Sequence, residues 1–310
     1  MCAVRQTPIA ICCSDLHLTL SPPLARSDEL NWLKAQARPL RQLKALADQL
    51  GVEILCAGDV FDRWNSPPEL INWAIDHLPS MYAIPGQHDL PTHVYSLLNK
   101  SAYWTLAMGG PGRLSDLGTK ERCIVGNMSV EAFPWGVDLT PPKVRDSKRL
   151  KVALVHEYVW TVGATYPGAP KESRVGQSLK NIEGWDVIIY GDNHKGFLTR
   201  YKNTTVFNCG TLQRRKSDEI AYKPQVGILY SDGSIEPHLL DVSSDIIKET
   251  SPMLDRTEDM ELGEFLQELT KLQDAHLDFE EAMNRLLRER KPGPLVQTLI
   301  KHAMSEKEKM

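Results

Sequence analysis

Five short polar runs, each set directly behind an apolar stretch, constrain this chain more than any other feature. They are Asp15-Leu16-His17, Gly58-Asp59-Val60-Phe61-Asp62-Arg63, Gly86-Gln87-His88-Asp89, His156-Glu157 and Gly191-Asp192-Asn193-His194. Four of the nine histidines fall in these runs. One Asp-x-His means little, because Asp and His are common at strand ends and turns. Five such runs in order, each closing an apolar segment, describe strands whose carboxyl ends all deliver polar side chains. Ligand sites gather at that edge of α/β sheets.

The segments between the runs fit this rhythm. Residues 8–13 (Pro-Ile-Ala-Ile-Cys-Cys) are continuously apolar, as a central parallel strand is. Leu30, Leu33, Leu40, Leu43, Ala47 and Leu50 predict a helix over 28–50, capped by Ser27-Asp28 and kinked at Pro39. Further strands are expected at 52–57, 81–84, 150–155 and 185–190, with a helix opened by Pro67-Pro68. Residues 101–146 read as irregular, and 204–209 and 225–240 as closing β structure with a turn at Asp232-Gly233. The fold class is α/β, a layered β-sandwich flanked by helices, with a small C-terminal helical appendage.

Composition changes near residue 241. Nine acids and one base lie between 258 and 281, interleaved with leucines and phenylalanines, before Pro292-Gly293-Pro294. The expected division is a catalytic domain over 1–243 and a helical appendage over 244–310. That appendage suits an exposed amphipathic face, partner docking or dimerisation. The net charge of −4 excludes a wholly basic surface but not a local basic cleft. None of the six cysteines forms a CxxC pair, which fits free thiols in a reducing cytosol. No run approaches the ~18 apolar residues of a membrane span, so a cytoplasmic location is expected.

Asp and His in this arrangement suit two divalent ions roughly 3.5–4 Å apart, bridged by one carboxylate. Such a pair polarises phosphoryl oxygens and holds a hydroxide for in-line attack, while a nearby imidazole protonates the leaving oxygen. In this motif series the chain resembles the calcineurin-like metallophosphoesterase superfamily, over about residues 8–215. The resemblance implies that Asp15, His17 and His194 hold one metal and that Asp59 bridges. It gives Gln87, His156 and Asp192 to the second metal and makes His88 the general acid. Asp62 and Arg63 would orient the ligands. Position 87 is usually Asn in the family and position 192 usually His, so both departures fall on the second metal. Three carboxylates (Asp15, Asp59, Asp192) favour a hard ion, Mn²⁺ over Zn²⁺; the same departures also fit a weakened second site.

Within the superfamily the runs 84–91, 191–196 and 208–216 resemble DNA-repair exonucleases, the nuclease partners of SMC-type coiled-coil ATPases, and phage recombination nucleases above all. The stretch 193–217 carries six bases and no acid. Lys195, Arg214, Arg215 and Lys216 are therefore candidate contacts to a DNA backbone. The reading is a two-metal phosphodiester hydrolase acting on DNA, with an SMC-type ATPase or a second copy of the chain as partner. Its rivals are a small-molecule phosphodiesterase or phosphatase on the same site, and a non-catalytic metal-binding scaffold.

Overall fold

The structure, a computed structural model, describes residues 7–109, 112–120, 122–143, 148–166, 168–216 and 219–248. Two six-stranded sheets form the sandwich. The first has the order β12 (Ile235–Leu239), β11 (Gln225–Tyr230), β1 (Pro8–Cys13), β2 (Glu53–Cys56), β3 (Met81–Ala83), β4 (Leu114–Asp116). The second has the order β5 (Cys123–Val125), β6 (Met128–Phe133), β7 (Leu150–His156), β8 (Val187–Gly191), β10 (Thr204–Asn208), β9 (Phe197–Tyr201). Each sheet is parallel at its centre, β1–β2–β3–β4 in one and β6–β7–β8–β10 in the other, with antiparallel strands outside. The polar runs therefore leave each sheet together, from the carboxyl ends of β1, β2 and β3 and of β7 and β8.

Side chains of a strand alternate between its faces, and β7 shows how this builds three layers. Val152 and Leu154 join the main core with Ile11, Leu55 and Phe207, while Ala153 and Val155 join a second cluster with Trp185 and Val206. Helices α1 (Trp32–Leu50), α2 (Pro68–His77) and α3 (Ala102–Gly109) add Leu40, Leu43, Leu70, Ala74 and Tyr103 to the main core. A short helix, α4 (Val175–Ser178), adds Val175 to the second.

Several expectations shift. Helix α1 starts at Trp32 rather than 28, because Asn31 accepts from the Lys34 N–H at 2.9 Å and so provides the cap. Ser27 instead ends a one-turn 3₁₀ segment, Leu24–Arg26. Pro39 lies inside the helix. The stretch 101–146 is not irregular, since it supplies α3, β4, β5 and the fully paired β6. Ser129 and Glu131 masked β6 in the sequence. Both are buried, and the Glu131 carboxylate accepts from the Lys143 N–H at 3.0 Å. Among the described cysteines, 12, 13, 56 and 209 are buried free thiols and Cys123 is a half-buried one.

The chain divides into two compact units, residues 1–215 with 219–247, and 216–218 with 248–310. The second unit, apart from Lys216 and Lys248, lies outside the described residues, and with it the expected helices beyond 248; residues 244–248 of the expected appendage are described, are not helical, and Asp245 pairs with Arg26. No described helix is long and apolar enough to cross a membrane.

Candidate metal centre

The chain turns sharply at four of the seven expected ligands. Asp15, His17, Asp59 and Asp192 all have positive φ, at 54°, 46°, 53° and 76°. A non-glycine residue held in such a conformation costs roughly 1–3 kcal/mol, and such residues cluster at functional sites. Here the backbone enforces it. The Asp15 N–H donates to the Gly58 carbonyl at 2.9 Å and the His17 N–H to the Asp59 carbonyl at 3.0 Å, lacing the loops after β1 and β2 together.

Two glycines make the centre possible. A Cβ on Gly58 (φ 103°) would stand 2.2 Å from His156 Nδ1, and one on Gly86 would stand 2.1 Å from Asp59 Oδ1. Any larger residue at either position displaces a ligand.

Asp59 lies at the middle. Its Oδ1 accepts from the His88 N–H at 3.0 Å. Its Oδ2 lies 3.7 Å from His17 Nε2 and 3.5 Å from His156 Nε2, and has no hydrogen-bond partner although buried. On one side Asp15, His17 and His194 bring ligand atoms within 4.8 Å of one another; on the other Asp15, Asp59 and His156 do so. Asp15 thus reaches both groups, where the sequence had assigned it to the first alone.

The remaining contacts test whether cations fit. His156 Nδ1 donates to the Ala57 carbonyl at 2.5 Å, which leaves Nε2 facing Gln87 Oε1 at 2.6 Å. Gln87 cannot turn its amide around, because its Nε2 donates to Asp192 Oδ1 at 2.6 Å. A ring nitrogen and an amide oxygen this close need a proton or a cation between them. His17 Nε2 and His194 Nε2 likewise face each other at 3.0 Å. The donor set and its unpartnered lone pairs fit two divalent ions. His156, Gln87 and Asp192 form one connected group, so the two departures from the family pattern still converge on the second position.

Electrostatics agree. Burial pushes the Asp15 carboxyl up to about 7 and the His17 imidazole down to about 4. Burial also opposes ionisation of Asp59, but His156, His17 and His88 together outweigh it and hold that carboxyl well below the usual range. Burial disfavours the charged form of His156 as well, yet Asp59, Asp15 and Asp192 together raise its pKa well above the ordinary histidine value. Asp192 is raised by burial. Three carboxylates crowded together in this way, two buried and one half-buried, are stabilised by any cation placed among them.

His88 stands beside the ligands, and with His17 and Asp62 it also brings ligand atoms within 4.8 Å of one another. Its Nδ1 donates to the Asp62 carbonyl at 2.9 Å, and its ring centroid lies 4.9 Å from that of His17. Nε2 is thereby left to carry or release a proton.

Residues 9–223 match the calcineurin-like phosphoesterase superfamily domain. The chain belongs to this superfamily. It is a metallophosphoesterase-type hydrolase with a candidate metal site. No curated protein matches it. Among solved structures it is similar to a novel archaeal phosphodiesterase (14% identity, 74% of this chain and 99% of that one, TM-score 0.37). It is also similar to the calcineurin-like phosphoesterase YfkN from Bacillus subtilis (12%, 84% and 98%, TM-score 0.40). A third is a metallophosphoesterase from Sphaerobacter thermophilus (14%, 82% and 94%, TM-score 0.35).

In this calcineurin-like phosphoesterase several residues differ from their expected roles. Arg63 is exposed, and its guanidinium has no partner among the described residues. Asp62 is instead paired with Arg215, Oδ1 to guanidinium, at 2.5 Å. Arg214 is not on a rim: it is 9% exposed, with its guanidinium on the Ile220 and Val242 carbonyls and the Asp245 carboxylate. Lys195 is exposed, with its amine on the Thr165 carbonyl at 2.8 Å. Lys216 is exposed and falls in the second unit.

Sequence reasoning also missed two braces of the phosphoesterase site. Asp89 is buried and accepts from the N–H groups of Val60, Phe61 and Gly86, binding the loops after β2 and β3 together. Asn193 donates to the Val159 and Ala164 carbonyls and so fixes the loop that carries Asp192 and His194. Their place inside the polar runs was visible in the sequence, but their inward direction was not.

Proposed function

We propose that this chain is a Mn²⁺-dependent phosphodiesterase acting on DNA, an exonuclease of the repair or recombination type. The observation that carries the phosphodiester reading is Asp59 Oδ2 standing between His17 Nε2 and His156 Nε2, with His88 beside them. Two bound divalent ions supply the polarisation of the phosphoryl group and the activation of the attacking water. The chain's own residues do the rest. Asp15, His17 and His194 hold one ion, and His156, Gln87 and Asp192 the other, with Asp59 between them. His88 holds a proton on Nε2 for the departing sugar oxygen while its Nδ1 stays fixed on the Asp62 carbonyl. The oxygen-rich donor set favours Mn²⁺.

DNA as substrate is supported by the sequence resemblance of 84–91, 191–196 and 208–216 to repair exonucleases. The exposed Lys195 and Lys216 are the candidate backbone contacts that remain from that run. An SMC-type ATPase or a second copy of the chain, docking through 244–310, is the partner this reading expects. A substrate panel with Mn²⁺ tests it. Linear DNA is expected to be cleaved at a kcat/KM at least tenfold above that for cyclic nucleotides or p-nitrophenyl phosphate. Turnover of the small esters without cleavage of DNA would overturn the nuclease reading in favour of a small-molecule phosphodiesterase or phosphatase.

A further inference from the structure

Arg215 belongs to the basic run expected to touch DNA, yet its guanidinium is directed inward. It meets Asp62 Oδ1 at 2.5 Å, and both side chains are largely buried, at 18% and 20% exposure. The same carboxylate oxygen lies 3.5 Å from His17 Nδ1. The carbonyl of the same residue accepts from His88 Nδ1 at 2.9 Å. Asp62 therefore faces an expected metal ligand with its side chain, 3.5 Å from a buried ring nitrogen that has no hydrogen-bond partner, and holds the expected acid with its backbone.

The arginine is itself anchored. Its N–H donates to the Glu219 carboxylate at 2.5 Å. The preceding carbonyl, of Arg214, accepts from Arg26 at 2.7 Å, and the Arg214 guanidinium is tied to Asp245 at 3.2 Å. Arg26 and Asp245 are in turn paired at 3.0 Å. The segment 214–215 is thus fastened to a buried ionic cluster on one side and to the metal centre on the other.

We propose that Arg215 is a positioning residue of the phosphoesterase site rather than a DNA contact. By fixing the Asp62 carboxylate against His17 Nδ1, it sets the ring that presents Nε2 to the first metal. By the same grip it holds the Asp62 carbonyl where His88 needs it. A metal-bound imidazole is oriented by the partner of its other nitrogen, and loss of such a partner typically lowers metal affinity or activity about 10- to 100-fold. A guanidinium can pin a carboxylate in one orientation, whereas an ammonium is a point charge. The inference rests on His17 being a metal ligand and not on DNA being the substrate.

The test uses the full chain, Mn²⁺ titrated by calorimetry, and bis(p-nitrophenyl) phosphate as a generic diester. Arg215→Ala is expected to weaken the tighter Mn²⁺ site and lower kcat, each about 10- to 100-fold, with KM within about twofold. Arg215→Lys should fall between Arg215→Ala and wild type. Because the arginine acts through Asp62, Arg215→Ala combined with Asp62→Asn should lose no more than Asp62→Asn alone. Additive losses, or unchanged Mn²⁺ affinity and kcat in Arg215→Ala, would contradict the proposal. So would a raised KM at constant kcat, the mark of a direct phosphate contact. Should Arg215→Ala not fold, a wild-type-like Arg215→Lys overturns the proposal and an intermediate one sustains it. A wild type that binds no Mn²⁺ overturns the metal reading and this inference together; a wild type that binds while Arg215→Ala matches it overturns this inference alone.

Discussion

Replacing His88 with alanine is expected to lower DNA cleavage about 100- to 10,000-fold, the range for loss of a general acid, while the metal content stays unchanged. The backbone N–H of residue 88 holds Asp59 Oδ1, and alanine preserves that bond. What disappears is the imidazole fixed on the Asp62 carbonyl. The leaving group then becomes informative. A departing sugar alkoxide needs a proton, but p-nitrophenolate leaves without one. His88→Ala should therefore cleave bis(p-nitrophenyl) phosphate within about tenfold of wild type. An equal loss on both substrates, with metal lost as well, would make His88 a ligand instead of an acid.

The second large effect is expected from Asp59→Asn. Among the described residues, this carboxylate lies within 4 Å of both His17 Nε2 and His156 Nε2 through one atom. An amide there keeps the volume but removes the charge that two cations would share. Its NH₂ or its oxygen must also face two ring nitrogens. Bound Mn²⁺ should fall from two ions per chain to one or none, and phosphodiester hydrolysis by at least about 100-fold, since the bridging carboxylate serves both ions. Metal analysis after desalting, with circular dichroism to verify folding, checks this. Two ions retained with near-normal turnover would remove Asp59 from the bridge.

Much of this centre was legible in the sequence because its ligands follow apolar strands directly. An apolar run such as Ile9–Cys13 has one good solution, a buried strand, so the place of Asp15 at its end followed. The same logic located Asp59, His156 and the 191–194 loop. Direction was another matter. Whether Arg214 and Arg215 face solvent or the interior depends on Asp245 and Asp62, which lie 31 and 153 residues away in the chain. Nothing local distinguishes a basic rim from two internal ion pairs. The family resemblance gave Arg63 the orienting role, and the fold gave the contact with Asp62 to Arg215, a residue from a distant loop. The strand β6 was hidden for a related reason. Its buried Glu131 is satisfied by the backbone of residue 143, which no alternation pattern can anticipate. The role of glycine at 58 and 86 became clear only when His156 and Asp59 were found against them.

In the proposed centre two cation positions flank one carboxylate oxygen, Asp59 Oδ2. Crystals grown with Mn²⁺, with anomalous differences recorded at the manganese edge, address it most directly. Two peaks roughly 3.5–4 Å apart are expected, one beside His17 and His194 and one beside His156, Gln87 and Asp192, each within coordination distance of Asp59. A single peak on the His17 side, or density that leaves Gln87 and Asp192 without an ion, would contradict the two-metal account.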